Sequence, residues 1–136
     1  MCIRDRVGSG KPTDWDPEAA RQAFRLALAA PAANERVWLH GDLHTKNVIV
    51  DAGQIVAVID WGDMGCGDRA TDLAVAWMLV PDVVDTVAEL SGADEAAWCR
   101  ATGWAVSFAV LYELHSDDDP VMGSIGAKLM QAVLSC

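Results

Sequence analysis

A group of polar side chains interrupts an otherwise apolar stretch of this chain, WLHGDLHTKNVIV, at residues 38–50. An ordinary buried hairpin does not tolerate this pattern, because a buried polar group costs free energy unless it has a hydrogen-bond partner. Five such residues fall within eight positions: His40, Asp42, His44, Lys46 and Asn47. The stretch therefore predicts a loop of functional side chains that leads into a strand.

A β-hairpin is predicted directly after this loop. Two β-rich segments, NVIV (47–50) and IVAVI (55–59), flank the four-residue turn DAGQ. Pairing about this turn places Asn47 opposite Val58 and one diagonal step from Asp60, so their side chains would start about 7 to 8 Å apart. Both Asn47 and Asp60 offer oxygen ligands, which favours Mg²⁺ over Zn²⁺ at such a site.

The remainder of the chain has helical patterns. Capping residues and prolines set the predicted bounds, as in Asp16-Pro17-Glu18 before the first helix. The predicted helices cover residues 17–30, 72–80, 82–91, about 94–115 and 121–134, with an acidic loop at 116–120. The fold class is therefore α+β, a β-hairpin followed by a mostly helical bundle.

The spacing of three acidic or amide residues indicates a chemistry. Asp42 and Asn47 form a D-x-x-x-x-N pattern, and Asp60 begins a D-x-G sequence after the hairpin. Protein kinases use this arrangement, with the first Asp at the substrate hydroxyl and the Asn and second Asp on the metal. Phosphoryl transfer needs a metal to neutralise charge and a carboxylate to orient the acceptor.

The two motifs HGDLHTKNVIV and VIDWGDMGCGDRATDLAVAW together resemble the aminoglycoside phosphotransferase family, whose fold is similar to that of protein kinases. The resemblance implies that Asp42 is the catalytic base and that Asn47 and Asp60 bind Mg²⁺. It also implies that His40 braces the catalytic loop and that His44 stands where protein kinases usually have a phosphate-facing lysine. ATP is the implied co-substrate.

The resemblance extends to three further carboxylates. Asp63 and Asp68 lie on the loop beyond the metal-binding position, and the sequence leaves open whether they serve the site or cap the loop. Asp72 is similar to the family's acidic residue that ties the following helix back to the catalytic loop. Two positions depart from the family pattern: Thr45 stands where proline is common, and Lys46 where a small residue is common.

The resemblance also implies that one lobe is missing. The family's nucleotide-binding N-terminal lobe precedes the catalytic motif, whereas only 39 residues precede His40 here. We interpret residues 16–136 as the C-terminal lobe of a protein-kinase-like fold, and residues 1–15 as an irregular lead-in whose first six residues, MCIRDR, are a non-native scar. Lys11 follows G-S-G without a complete P-loop pattern. The chain alone is therefore expected to be inactive.

Composition excludes several classes of partner. The formal net charge of −10, from 20 acidic and 10 basic residues, argues against nucleic acid and suits a cationic ligand. No apolar run approaches the roughly 20 residues needed to span a bilayer. The four cysteines are scattered, which is typical of a reduced, cytoplasmic protein rather than a disulfide framework. Four tryptophans are assigned to packing: Trp61, Trp77, Trp98 and Trp104.

The leading interpretation is an ATP-dependent kinase that phosphorylates a hydroxyl of a small molecule such as an aminoglycoside. The main alternative is a metal-dependent hydrolase, because His40, Asp42 and His44 alternate and would face one side of an extended strand. A second alternative is a non-catalytic remnant that binds a partner. The hydrolase hypothesis leaves Asn47 and the D-x-G sequence at 60–62 without a role.

Overall fold

Local sequence signals set the first helix. In the computed structural model, which describes residues 14–135, helix α1 spans Pro17–Ala29. The Asp16 side chain caps it by accepting a hydrogen bond of 2.9 Å from the backbone N–H of Glu18. The helix predicted at 17–30 is therefore confirmed. The predictions for residues 1–13, including the scar at 1–6 and the role of Lys11, lie outside the described residues.

The strands between residues 14 and 135 form two separate antiparallel pairs. They are β1 (Val37–Leu39), β2 (Val48–Asp51), β3 (Gln54–Val58) and β4 (Gly65–Gly67). Strand β1 pairs with β4, and β2 pairs with β3. The sequence did not predict β4, because Gly-Cys-Gly has low strand propensity and its partner is distant in the chain. The β1–β4 pair brings together the segment before the polar loop and the segment after the hairpin.

The predicted hairpin register is correct near the turn and wrong beyond it. Asp51 pairs with Gln54 as expected, but Val48, rather than Asn47, lies opposite Val58. A bulge between Ile49 and Val50 shifts the register by one residue. A bulge inserts an unpaired residue that pattern reading cannot locate.

Five helices follow β4 within the described chain: α2 (Ala70–Leu73), α3 (Ala76–Leu79), α4 (Val84–Ser91), α5 (Glu95–Leu114) and α6 (Pro120–Leu134). The single helix predicted over 72–80 is wrong, because it is divided into α2 and α3. At the break, the N–H of Val75 bonds to the carbonyl of Asp72, three residues back, at 3.1 Å. This tighter spacing is typical of a 3₁₀ turn and ends the regular α-helix.

Helix α5 lies at the centre of the core, against α1 and α6. Two glycines allow these close approaches. A methyl group on Gly103 would overlap Ala27 of α1, and one on Gly126 would lie 2.8 Å from the carbonyl oxygen of Ala109. None of the helices between residues 14 and 135 is long and apolar enough to cross a bilayer. The α+β class is confirmed.

Candidate active site

The polar loop after β1 is anchored by one carboxylate. Asp72 on α2 accepts a hydrogen bond of 2.7 Å from the N–H of His40 and one of 3.1 Å from the N–H of Gly41. Each oxygen of Asp72 therefore binds one backbone donor of the loop. This is the contact that the resemblance implied for Asp72. It makes Asp72 a support for the loop rather than a group facing a substrate.

Gly41 lets two loops cross at close range. Its φ is +87°, in the region that favours glycine. A methyl group built on Gly41 would overlap the backbone carbonyl of Asp63, on the 3₁₀ turn Trp61–Asp63. The chain therefore needs glycine here both for conformation and for space. The side chain of Asp63 itself is exposed.

His40 is a buried brace between the two loops. The residue is only 4% exposed, and its Nε2 lies 2.8 Å from the carbonyl oxygen of Ile59. A carbonyl can only accept, so Nε2 carries the proton and donates. The ring also contacts Trp61, with centroids 4.7 Å apart. His40 Nδ1 is buried without a hydrogen-bond partner among the described residues.

Trp61 differs from the sequence interpretation. Core or inter-helix packing was predicted, but the residue is 52% exposed. Its indole N–H donates to the carbonyl of Val58 at 2.9 Å, and its ring lies beside that of His40 with the two planes tilted by 52°. Trp61 therefore shields the brace rather than filling the helical core.

Asn47 holds the loop that carries Asp42. The Asn47 residue is 6% exposed, and its Nδ2 donates to the backbone carbonyl of Asp42 at 2.9 Å. This bond uses the amide nitrogen and leaves the amide oxygen as the atom for a cation. The carboxylate of Asp42 remains 43% exposed, with Asn47 Nδ2 at 3.5 Å from its Oδ2. Asp42 is thus fixed through its backbone and open at its carboxylate.

His44 has a hydrogen-bond pattern that determines its tautomer. Its Nδ1 accepts from the N–H of Lys46 at 3.2 Å, so Nδ1 carries no proton in the neutral ring. The proton is then on Nε2, which lies 3.5 Å from Asp42 Oδ2. This separation is longer than an ordinary N–H···O hydrogen bond, so His44 Nε2 lies beside the Asp42 carboxylate rather than hydrogen-bonded to it.

Tyr112 belongs to this site and was missed by the sequence analysis. Its ring meets the His44 ring edge-on, with centroids 6.2 Å apart. Burial raises the pKa of Tyr112 to about 12, and the negative charge of Asp42 contributes to the increase. The hydroxyl is therefore protonated at neutral pH. No sequence signal indicated this contact, because Tyr112 lies on α5, 70 residues after Asp42.

Asp60 begins the turn on the opposite side of the site. Its backbone is left-handed, with φ +62°, and its side chain makes no capping hydrogen bond to the turn that follows. The N–H of the preceding residue, Ile59, donates to the carbonyl of Asn47 at 2.9 Å. An exposed carboxylate and an amide oxygen on adjoining segments fit the oxygen donors that Mg²⁺ takes in proteins. A strained non-glycine residue is also a common feature of functional sites.

Asp68 lies away from these groups. Its carboxylate binds the guanidinium of Arg100 on α5 through two contacts, Nε–Oδ2 at 2.6 Å and Nη2–Oδ1 at 3.1 Å. It also accepts a bond of 3.1 Å from the N–H of Ala70 at the start of α2. The hydrogen bonds from Arg100 lower the pKa of Asp68 below its ordinary 3.8, and the N–H of Ala70 lowers it further. Asp68 is engaged with the helices rather than with Asp42.

Replacing Asp68 with asparagine is expected to lower the free energy of unfolding by about 1 kcal/mol at pH 7, because the charged pair with Arg100 is lost. A depressed folded-state pKa contributes stability above the unfolded value of 3.8, and this is lost as the pH falls through the folded value. The free energies of unfolding in urea should therefore differ between variant and parent at neutral pH and become equal below the folded-state pKa of Asp68. Asp63→Asn, an exposed site, is the matched control, and an equal loss there would contradict the assignment.

The three residues of the hydrolase hypothesis do not form a metal site. Residues 14–135 contain no group of three or more His, Cys, Asp or Glu side chains placed to hold a metal ion. His40 points one nitrogen at Ile59, and His44 points one at the backbone of Lys46. The two rings are therefore committed to bracing the loop. The hydrolase alternative is not favoured.

Comparison with known proteins identifies the family. A model of the APH family, described as the phosphotransferase enzyme family, matches residues 4–107. The chain belongs to the phosphotransferase enzyme family. The resemblance to this family is thus confirmed, and the family implies a protein-kinase-like fold.

Similar curated proteins match only part of this chain. An aminoglycoside 3′-phosphotransferase of Escherichia coli is 38% identical over 63 residues, which cover 46% of this chain and 22% of that protein. Proteins of the same name from Escherichia coli and Salmonella typhimurium are 40% identical over matches of the same extent. The chain thus spans about a fifth of the length of these relatives. No solved structure matches it.

Proposed function

We propose that residues 16–136 form the catalytic C-terminal lobe of an ATP-dependent kinase that phosphorylates a hydroxyl of a small molecule. The observation that carries the proposal is the arrangement around Asn47. One side-chain nitrogen of Asn47 fixes the backbone of Asp42, whose carboxylate stays open. The backbone carbonyl of Asn47 also accepts a hydrogen bond from the N–H of Ile59, the residue before Asp60. One residue therefore connects the proposed base to the proposed metal ligand.

The roles of the side chains follow from their contacts. The exposed carboxylate of Asp42 would accept a hydrogen bond from the acceptor hydroxyl and take its proton as transfer proceeds. His44 lies beside the same carboxylate, with its Nε2 3.5 Å from Asp42 Oδ2. His40 and Asp72 hold the loop and do not touch substrate. Mg²⁺ held by Asn47 and Asp60 would neutralise charge on the ATP phosphates.

The acceptor is proposed to be a small molecule that carries positive charge. The net charge of −10 supports a cationic ligand. The curated relatives are named aminoglycoside 3′-phosphotransferases, and aminoglycosides carry both amines and hydroxyls. The nucleotide-clamping lobe would be supplied by sequence beyond the matched fifth of these relatives. The resulting protein would act in the cytoplasm, where ATP is available.

Paramagnetic Mn²⁺ tests the proposed metal site without requiring turnover. With ATP present, Mn²⁺ should broaden the backbone NMR signals of residues 42, 47 and 60–62 in the labelled chain, because a bound paramagnetic ion relaxes nearby nuclei. Asp60→Asn should remove the broadening, since a carboxylate ligand is lost. Asp51→Asn, which removes an exposed charge at the end of β2, should leave it unchanged.

Two results would reject the proposal. One is Mn²⁺ broadening that is as strong in Asp60→Asn as it is in Asp51→Asn. The other is zinc that stays with the purified chain and is lost on His44→Ala, because this would restore the hydrolase alternative. Elemental analysis of the parent and His44→Ala chains measures the second outcome directly.

A further inference from the structure

The short turn that carries Asn47 is tied to the last helix by an ion pair. Lys46 Nζ lies 2.9 Å from Asp119 Oδ2, across 73 residues of sequence. Lys46 is the middle residue of the 3₁₀ turn Thr45–Asn47, and Asp119 is the N-cap of α6. The pair therefore joins the turn beside Asp42 to the start of α6.

Asp119 is a fixed partner for Lys46 rather than a mobile surface acid. Its other oxygen, Oδ1, accepts from the backbone N–H groups of Val121 and Met122, each at 3.1 Å. The hydrogen bond from Lys46 lowers the pKa of Asp119, and the N–H of Met122 lowers it further, so the carboxylate is charged at neutral pH. Moving Asp119 would also uncap α6.

Helix α6 is itself held tightly on α5. Gly123 lies so close to Ser116 that a methyl group there would overlap the serine side chain, and Gly126 lies against the backbone of α5. Helix α5 presents the Tyr112 ring to His44, the N-cap residue of the same turn. Two contacts therefore connect the turn to the α5–α6 corner, one through Lys46 and one through His44.

We propose that Lys46 is a positioning residue: its ion pair with Asp119 fixes the turn Thr45–Asn47 against the start of α6. The turn carries Asn47, whose side chain in turn holds the backbone of Asp42. The inference rests on the proposed function, because that function gives the turn its catalytic purpose. The side chains are 48% and 40% exposed, which makes the tie sensitive to salt.

Amide hydrogen exchange of Asn47 measures the tie in the full chain. The N–H of Asn47 bonds to the carbonyl of His44 at 3.0 Å within the turn. In Lys46→Ala, its exchange should be about two- to fivefold faster, the range expected for an exposed ion pair. Asp119→Asn should have a similar effect, since asparagine still caps the helix. The double variant should exchange no faster than the faster single variant, and Lys46→Arg should restore the parent rate.

Three controls separate positioning from general destabilisation. Arg25→Ala breaks an exposed pair of similar length, 2.8 Å to Glu18, and should not change exchange at Asn47. At about 1 M salt the parent should approach the Lys46→Ala rate. The NMR signals of the His44 ring should shift in Lys46→Ala as its contact with Tyr112 changes, while urea stability stays nearly constant. If helix α6 frays in Asp119→Asn, the Lys46 variants alone decide.

An unchanged exchange rate in Lys46→Ala, or effects of the two single variants that multiply in the double variant, would overturn the inference. The measurement contains no metal or nucleotide. Its failure is therefore distinct from failure of the proposed function, which the Mn²⁺ experiment reports.

Discussion

Replacing Gly41 with alanine is expected to lower the free energy of unfolding by about 3 kcal/mol, from roughly 1–2 for a left-handed alanine and about 1–3 for steric overlap. The positive φ of Gly41 disfavours any side chain, and a methyl group would overlap the carbonyl of Asp63. A loss of this size is a large fraction of the stability of an ordinary domain. Urea unfolding followed by circular dichroism measures it.

The hairpin turn supplies a matched control for this variant. Gly53 has a similar φ, +79°, but nothing lies within 4 Å of a methyl group built there. Gly53→Ala should therefore cost only roughly 1–2 kcal/mol, the conformational part alone. The difference between the two variants measures how closely the loop of Asp42 crosses the turn of Asp63. Equal losses would mean that the two loops do not meet as described.

The 136-residue chain alone is expected to transfer no measurable phosphate from ATP to an aminoglycoside. Phosphoryl transfer depends mostly on holding the nucleotide and acceptor in position, and poor positioning costs several orders of magnitude in rate. The chain spans about a fifth of the length of its curated relatives. Radiolabelled γ-phosphate transfer, with the full-length Escherichia coli relative assayed in parallel, measures this rate.

The Asp42→Ala variant distinguishes turnover by this chain from turnover by a contaminant in that assay. Turnover that persists in the variant comes from a contaminant and leaves the prediction standing. Turnover that Asp42→Ala abolishes would contradict the prediction, because this chain would then position ATP by itself. In that case Asp42 would still be supported as the base, so the two parts of the proposal are tested separately.

The candidate site residues of the loop could be predicted because short sequence patterns reflect local requirements of spacing and hydrogen bonding. The spacing of Asp42, Asn47 and Asp60 matches the pattern that protein kinases use, and the capping residues of α1 and α5 follow from unpaired N–H groups at helix ends. The family was recognised from two motifs, and the match over residues 4–107 confirms it. The roles of the individual residues remain predictions.

The bulge in the hairpin illustrates what pattern reading could not supply. A one-residue shift leaves Asn47 beside Ile59 instead of Val58, and the left-handed backbone of Asp60 ends the strand alternation. Alternation of strand faces therefore predicted the correct pair of neighbouring segments through an incorrect register. Strand periodicity carries no signal for an inserted residue or a positive φ.

The sequence by itself determined the α+β class, the first helix, the loop of polar residues and the family, because these depend on contacts and spacings within short segments. Only the tertiary structure decided that Tyr112 meets His44, that Asp119 binds Lys46 and that Arg100 engages Asp68. These contacts join residues 32 to 73 positions apart. The packing of α5 against its neighbours sets them, and no local pattern encodes which distant side chains that packing brings together.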